Sequence, residues 1–196
     1  MSKYTGKRTM FVRLDGKDCF VELDYGFYVE SGKILMRFCK YNPQNNNKME
    51  FNIPIYFSAD EFIGLYEKLK SSRMWDYSRK LSYEKKINEV LYSSYSGYGV
   101  QKSQSLKDKI PFPINQGEAV AKVFQVLPSM NKTYMLKASI MKGQELSTGA
   151  IKPIFNNPRY IQIPGDYENI IGFLGMGVMR LQTLDMLRMQ KAEGGV

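Results

Sequence analysis

The sequence predicts an α+β fold built from two tandem units, each made of four antiparallel strands followed by one helix. The first observation behind this prediction is a strand that turns directly into a helix. Ile53, Ile55 and Phe57 alternate with other residues, as in a strand with one buried face. Ser58 then stands three residues before Glu61, which is the spacing of a capping box at the start of a helix.

The second observation is that this junction recurs near the other end of the chain. Ile161 follows Ile53 by 108 residues, and Gly172 follows Gly64 by the same distance. Asp166 takes the N-cap position in the second copy. A junction repeated at a fixed offset indicates two copies of one supersecondary unit, with a chance match as the alternative.

The first unit covers residues 9–72. Asp15 and Gly16 form a hairpin signal between two alternating segments. Cys19, Val21 and Leu23 are predicted to point towards the core. The predicted strands are residues 9–15, 19–23, 34–41 and 49–57, and the predicted helix is residues 58–71.

Residues 73–116 interrupt this pattern and are predicted to form a basic connector with a short helix over residues 83–92. Residues 93–99 are rich in Ser, Gly and Tyr, which is typical of a flexible segment. Residues 66–112 carry ten basic and five acidic side chains. The connector is therefore either a solvated linker or a loop that faces DNA.

The second unit covers residues 117–190. Alternation places Lys122 and Phe124 on one face of its first strand, and we expect that face to be exposed. The predicted strands are residues 119–127, 133–141, 148–155 and 159–163, and the predicted helix is residues 166–190.

The predicted helix of the second unit is apolar on nearly every side, so it is buried either in its own core or against other subunits. Gly172, Gly175 and Gly177 leave room for the close approach of another backbone. We interpret the helix as a subunit interface, with an internal core helix as the alternative. The predicted interface residues are Ile170, Phe173, Leu174, Met176, Met179 and Leu181.

The charge and composition favour an anionic partner. The formal net charge is +9, which points to nucleic acid first and to an acidic membrane surface second. The alternative is that the basic charge is incidental. The Lys-, Asn- and Tyr-rich composition suits a phage or another AT-rich genome.

The cysteines and the terminal segments predict a soluble, cytosolic or nucleoid-associated protein. Cys19 and Cys39 lie in predicted strands and are expected to be buried thiols in a reducing compartment. Residues 1–8 contain no apolar signal-peptide region, and the longest apolar stretch, residues 170–179, is shorter than the roughly 20 residues that span a bilayer.

Catalysis is not expected. The chain has no histidine, which excludes imidazole bases and histidine metal ligands. A magnesium-dependent nuclease would need paired carboxylates. The close pairs are Asp15 with Asp18, Glu22 with Asp24 and Asp60 with Glu61, and each has a structural explanation as a turn, a strand edge or a helix cap. We therefore predict no catalytic residue, no metal and no cofactor.

Two tandem units of four strands and a helix on a basic chain of this length resemble the Whirly family of single-stranded DNA-binding proteins. One such unit is similar to the DNA-binding half of the positive-cofactor-four coactivators. The resemblance implies that strand faces bind single strands and that helices hold subunits together. The lysine-glycine-lysine-alanine motif of plant Whirly proteins is absent, since residues 132–138 do not fit it, so the resemblance assigns no contact residues.

Single-strand binding needs cations along the phosphates and flat side chains that stack on bases. The chain interleaves both types on its predicted strands. The candidates in the first unit are Phe11, Arg13, Phe20, Arg37, Lys40, Tyr41 and Lys48. The candidates in the second unit are Lys122, Phe124, Tyr134, Lys137, Lys152, Arg159 and Tyr160.

The sequence therefore predicts a non-enzymatic, homo-oligomeric protein that binds single-stranded DNA, or RNA, with little sequence preference in replication, recombination or transcription. A duplex-binding transcription regulator on the same fold is the first alternative. A structural or assembly protein is the second.

Overall fold

The computed structural model describes residues 10–24 and 31–193. It contains nine strands, four α-helices and one short 3-10 helix, Lys107–Lys109, within those residues. The strands are β1 (Met10–Asp15), β2 (Cys19–Asp24), β3 (Lys33–Asn42), β4 (Lys48–Ser58), β5 (Tyr92–Tyr98), β6 (Ala119–Pro128), β7 (Tyr134–Glu145), β8 (Ile151–Pro153) and β9 (Arg159–Gly165). The helices are α1 (Ala59–Lys70), α2 (Ser72–Tyr83), α3 (Val100–Ser105) and α4 (Tyr167–Glu193).

The first sheet has the antiparallel order β1-β2-β3-β4. Val21 pairs with Leu14 on one side and with Phe38 on the other, and Phe38 pairs with Ile53. These aligned apolar side chains form the core-facing side of the sheet. The hairpin at Gly16 and the inward orientation of Cys19, Val21 and Leu23 are confirmed.

The second sheet has the order β5-β6-β7-β8, and β9 also pairs with β7. The two antiparallel sheets and their helices confirm the α+β class. Within the predicted strand 148–155, only Ile151–Pro153 pairs with β7.

The middle of the chain differs from the prediction. The helix expected over 83–92 is wrong, because α2 spans Ser72–Tyr83 and Lys85 follows it with a φ of 57° that an α-helix cannot accommodate. The segment expected to be flexible is strand β5. It pairs with β6 along its whole length, from Tyr92 opposite Val126 to Tyr98 opposite Val120. Backbone pairing to a neighbouring strand thus overrides the local composition.

The helices cover one shared core that both sheets line. The capping box at the start of α1 is confirmed, since Ser58 accepts from the Glu61 backbone N–H and Glu61 accepts from that of Ser58. Phe62, Leu65 and Leu69 of α1 are fully buried. Helix α1 packs against α4, which also contacts β1.

Helix α4 is buried on one side only. Ile170, Phe173, Leu174 and Leu181, four of the six predicted interface residues, pack into the core of their own chain, whereas Met176 and Met179 are exposed. Met186, Leu187 and Met189 extend the exposed apolar side. We call these five exposed residues the α4 stripe.

The sequence predicts no apolar stretch long enough to span a bilayer, but helix α4 contains one. Tyr167–Leu187 has a mean hydropathy of 1.3, long and apolar enough to cross a membrane by length and composition alone. Of the apolar window in this helix, 33% is buried inside the structure. Length and composition are the only grounds for a span, and core helices of soluble proteins also meet these two criteria.

Candidate nucleic-acid interface

Three of the predicted contact residues lie in the core. Lys122 is 1% exposed, and Phe124 and Tyr134 are fully buried, so their expected exposure is wrong. Phe124 packs against the rings of Phe38 and Phe57, and the Tyr134 hydroxyl donates to the Leu69 carbonyl over 2.9 Å. Lys122 and Phe124 do share one face of β6, as the alternation predicts. That face points inward, towards the first sheet, and not to the solvent.

Lys122 is held between the two sheets. Its Nζ donates to the Pro54 carbonyl over 2.8 Å and lies 4.1 Å from the centre of the Tyr98 ring and 4.8 Å from that of Tyr56. Burial, and then the nearby charge of Lys102, lower the pKa of Lys122 to about 7. This lysine therefore links the sheets and does not reach a ligand on the outer surface.

The outer face of the first sheet brings predicted residues together. The guanidinium carbon of Arg13 lies 3.7 Å from the centre of the Phe20 ring, and the Phe20 and Tyr41 rings are 6.4 Å apart. The Tyr41 hydroxyl donates to the Lys17 carbonyl. The side chain of Phe11 lies outside the described residues.

The cations of the first sheet are engaged by carboxylates. Arg37 contacts Glu22 at 2.7 Å and Asp24 at 3.3 Å, and both acids are buried. Arg13 pairs with Asp15 in the same sheet. A phosphate binding here would have to displace these acids or face their charge.

Lys40 is engaged in the same way at the end of β3. Its Nζ donates to Asp18 over 2.6 Å. This hydrogen bond lowers the pKa of the Asp18 carboxyl and raises the pKa of Lys40.

The outer face of the second sheet carries two exposed tyrosines in one cross-strand row. Tyr95 pairs with Val123, Val123 with Ser139, and Ser139 with Tyr160. Tyr95 is 58% exposed and Tyr160 50%, with the short side chains of Val123 and Ser139 between them. Sequence reasoning found Tyr160 and missed Tyr95, because Tyr95 lies in the segment expected to be flexible.

Lys137 lies one row further along the same face. Its Nζ is 5.1 Å from the centre of the Tyr160 ring. Within residues 10–24 and 31–193, no ion pair involves Lys137. Its positive charge is therefore available beside an exposed aromatic ring.

Two clefts adjoin this face. One, of about 610 Å³, lies between the β1–β2 hairpin and β9 and includes Lys17, Lys40 and Tyr160. The other, of about 420 Å³, includes Lys132 and Lys137. The clefts share Met135, Gln162 and Pro164. We call their joint surface the outer-face channel; its cations are Lys17, Lys40, Lys132 and Lys137, of which Lys40 and Lys132 pair with Asp18 and Asp166.

The remaining predicted residues are exposed but do not line the channel. Lys48 is exposed at the start of β4, Lys152 pairs with Gln144 at the far end of the second sheet, and Arg159 is exposed at the start of β9. They are accessible, but they line neither of the two clefts.

The described residues contain no group of three or more Cys, Asp or Glu side chains that could hold a metal ion. All three close carboxylate pairs have contacts of their own. Asp15 pairs with Arg13 and Asp18 with Lys40, Glu22 and Asp24 bind Arg37, and Glu61 caps α1.

No family model matches this sequence, and no curated protein matches it. Among solved structures, the chain is similar to the plant transcriptional regulator PBF-2 over 94% of its own length and 92% of that chain, with a TM-score of 0.44 and 10% identity. At this TM-score and identity, the likeness assigns neither a family nor a function.

Proposed function

We propose that this protein binds single-stranded DNA, with little sequence preference, along the outer-face channel and the tyrosine row beside it. The observation that carries the proposal is Lys137, which has no ion pair among the described residues and lies 5.1 Å from the exposed ring of Tyr160. A cation for phosphate and a ring for a base are the two elements of sequence-independent single-strand binding.

The spacing of the row suits an extended strand. Neighbouring strands lie about 4.8 Å apart, so the three steps from β5 to β9 separate Tyr95 and Tyr160 by about 14 Å. Both rings are on the same face, and bases can stack on them only when they are unpaired. This favours a single strand over the duplex-binding alternative.

The proposal includes a non-enzymatic role in replication, recombination or transcription in the cytoplasm. The net charge of +9 supports a nucleic-acid partner. RNA would use the same stacking and phosphate contacts, so an RNA oligomer belongs among the ligands tested.

The test is fluorescence anisotropy with a labelled thymine oligomer of about 30 nucleotides, which exceeds the roughly 4–16 nucleotides that one small domain covers. A matched duplex serves as competitor, and salt is varied. We expect the single strand to bind more tightly than the duplex, with affinity falling linearly in a log–log plot against salt.

The double variant Tyr95→Leu, Tyr160→Leu should weaken binding. Tyr83→Leu, at an exposed tyrosine at the end of α2 that lines neither cleft, should not. Equal affinity for the duplex would favour the duplex-binding regulator. Absence of binding at low salt would reject a nucleic-acid function.

We also propose that the α4 stripe holds copies of the chain together. Met179 is 66% exposed, and it lies among other exposed apolar residues of the same helix. An apolar helix side of this kind is typical of a protein interface. Met179→Lys should reduce the mass measured by light scattering, whereas Met130→Lys, on an exposed turn, should not. An oligomer that forms without any nucleic-acid affinity would favour the assembly-protein alternative.

A further inference from the structure

A third pocket lies on the opposite side of the second sheet from the two clefts of the outer-face channel. Its cavity of about 460 Å³ is formed by β4, by Tyr98 at the end of β5, and by the segment from Lys102 to Pro111. Tyr98 is three residues from Tyr95, so alternation puts the two rings on opposite faces of the sheet. This inter-sheet pocket shares none of its lining residues with the channel.

Aromatic rings line the inter-sheet pocket. Phe51 and Tyr56 come from β4, and Tyr98 comes from β5. These rings come from two different sheets, which Lys122 joins by donating from β6 to the Pro54 carbonyl of β4. The aromatic part of the pocket is therefore built on sheet elements and not on loops, which suits a preformed ligand site.

Charged side chains also line the inter-sheet pocket. Lys102 and Lys109 are its basic residues, and the Nζ of Lys102 lies 5.3 Å from the centre of the Tyr98 ring. Glu50 and Asp108 are the acidic residues of the lining. The lining of the pocket thus combines aromatic residues with two basic and two acidic ones.

We propose that the inter-sheet pocket binds one nucleotide, with its base against the aromatic rings and its phosphate on Lys102 and Lys109. A base stacks on aromatic rings, and its amino groups donate to carboxylates such as Glu50 and Asp108. Lysine ammonium groups bind phosphate as point charges. A cavity of about 460 Å³ is within the usual range for small-molecule sites. This site goes beyond the proposed function, because no residue of the channel takes part in it.

The nucleotide is either free or the phosphorylated end of a strand, and the chemistry of recognition is the same. The first experiment titrates the full-length protein with each of the common nucleoside 5′-monophosphates and follows backbone amide shifts by NMR. We expect saturable shifts at Tyr98, Lys102 and Ile110 for at least one nucleotide. The same concentrations of inorganic phosphate or of the nucleoside alone should produce much weaker binding.

Lysine variants locate the phosphate. Lys102→Met and Lys109→Met should each weaken nucleotide binding about tenfold, the loss expected for one hydrogen bond to a charged group. Lys107→Met is the matched control, because Lys107 lies in the same short segment but does not line the pocket. It should leave the affinity unchanged.

A comparison of two oligomers distinguishes a free nucleotide from the phosphorylated end of a strand. If a strand end enters the pocket, a 5′-phosphorylated thymine oligomer binds more tightly than its 5′-hydroxyl counterpart, and Lys109→Met removes the difference. If the ligand is a free nucleotide, the two oligomers bind equally and the monophosphate still shifts the pocket amides.

The proposal is overturned if about 10 mM of every nucleotide, enough to saturate even a millimolar site, produces no saturable shift at the pocket. It is also overturned if the shifts fall instead at Lys137 and Tyr160, which would place the nucleotide in the channel. If the pocket amides shift with a nucleotide but the protein does not bind oligomers, the nucleotide site is supported and the single-strand function is rejected.

Discussion

The outward faces of the two sheets carry similar side chains but differ in what holds their cations. On the first sheet, Arg37 is bound by Glu22 and Asp24, and Arg13 is bound by Asp15. On the second, Lys137 lies against Tyr160, and no ion pair among the described residues engages it. The number of cations and rings on a strand face therefore does not by itself identify a binding surface. The partners of each cation decide whether its charge is available.

This difference between the two outer faces suggests that the cations of the first sheet stabilise the fold, whereas those of the second bind a ligand. Glu22 and Asp24 are buried, and a buried carboxylate needs a cation or strong hydrogen bonds to remain charged. Arg37 supplies two contacts to them and is about two-thirds buried itself. We therefore expect the first sheet to use its central arginine for folding and the second sheet to use its lysine for ligand binding.

The largest expected effect is on the first sheet. Arg37→Met should lower the free energy of unfolding by about 3 kcal/mol, the lower end of the range for breaking a buried ion pair, because the side chain of Arg37 is partly exposed. Urea denaturation measures this. DNA affinity per folded molecule should change less than twofold. A stable Arg37→Met variant with weak DNA binding would reverse the roles assigned to the two sheets.

The next largest effect is the loss of single-strand affinity when an exposed tyrosine ring is removed. Tyr160→Leu should weaken single-strand binding about tenfold, because stacking on one ring contributes about 1–3 kcal/mol. Tyr41→Leu is the matched change on the first sheet, at a ring that packs 6.4 Å from Phe20, and it should have little effect. Anisotropy titrations at one salt concentration compare the two. Equal losses would show that both faces bind DNA.

The first sheet was predictable from sequence to the level of single side chains. Its strands alternate clearly between apolar and polar residues, so Val21 and Ile53 were placed correctly on the core side. Ser58 and Glu61 gave the start of α1 by their spacing. Alternation and capping are local signals, and here tertiary contacts agree with them.

The second sheet was less predictable because its central strand is buried on both faces. Strand β6 is buried at nine of its ten positions, so alternation could not tell which face of Lys122 and Phe124 met the core. Tyr95 was missed for another reason. Its Ser- and Gly-rich segment has low intrinsic strand preference and becomes a strand only by pairing with β6.

Lys122 differs from the cations of both outer faces, because it is buried between the two sheets. Its pKa is lowered to about 7, mainly by burial. Between pH 7 and pH 9 the folded chain has released this proton, whereas the unfolded chain still binds it. The free energy of unfolding should therefore rise with pH in this window, by up to about 1.4 kcal/mol per pH unit.

The check is urea denaturation at several pH values between 7 and 9. Lys122→Met should lose this component of the slope, and Lys137→Met, at a lysine on the outer face of the same sheet, should keep it. Identical slopes in Lys122→Met and the unmodified protein would mean that the buried amine keeps its charge throughout this range.

The smallest effect concerns the salt dependence of DNA binding. If Lys137 contacts a phosphate, Lys137→Met should reduce the slope of log affinity against log salt by about 0.7, the value for one contact with a single strand. Lys152→Met, at an exposed lysine outside the channel, should leave the slope unchanged. Arg37→Met should also leave it unchanged, because a cation already neutralised by two carboxylates releases no counterions from DNA. A lower slope in Arg37→Met than in Lys137→Met would mean that DNA displaces the acids of the first sheet, and that the partners of a cation in the free protein do not determine its role in the complex.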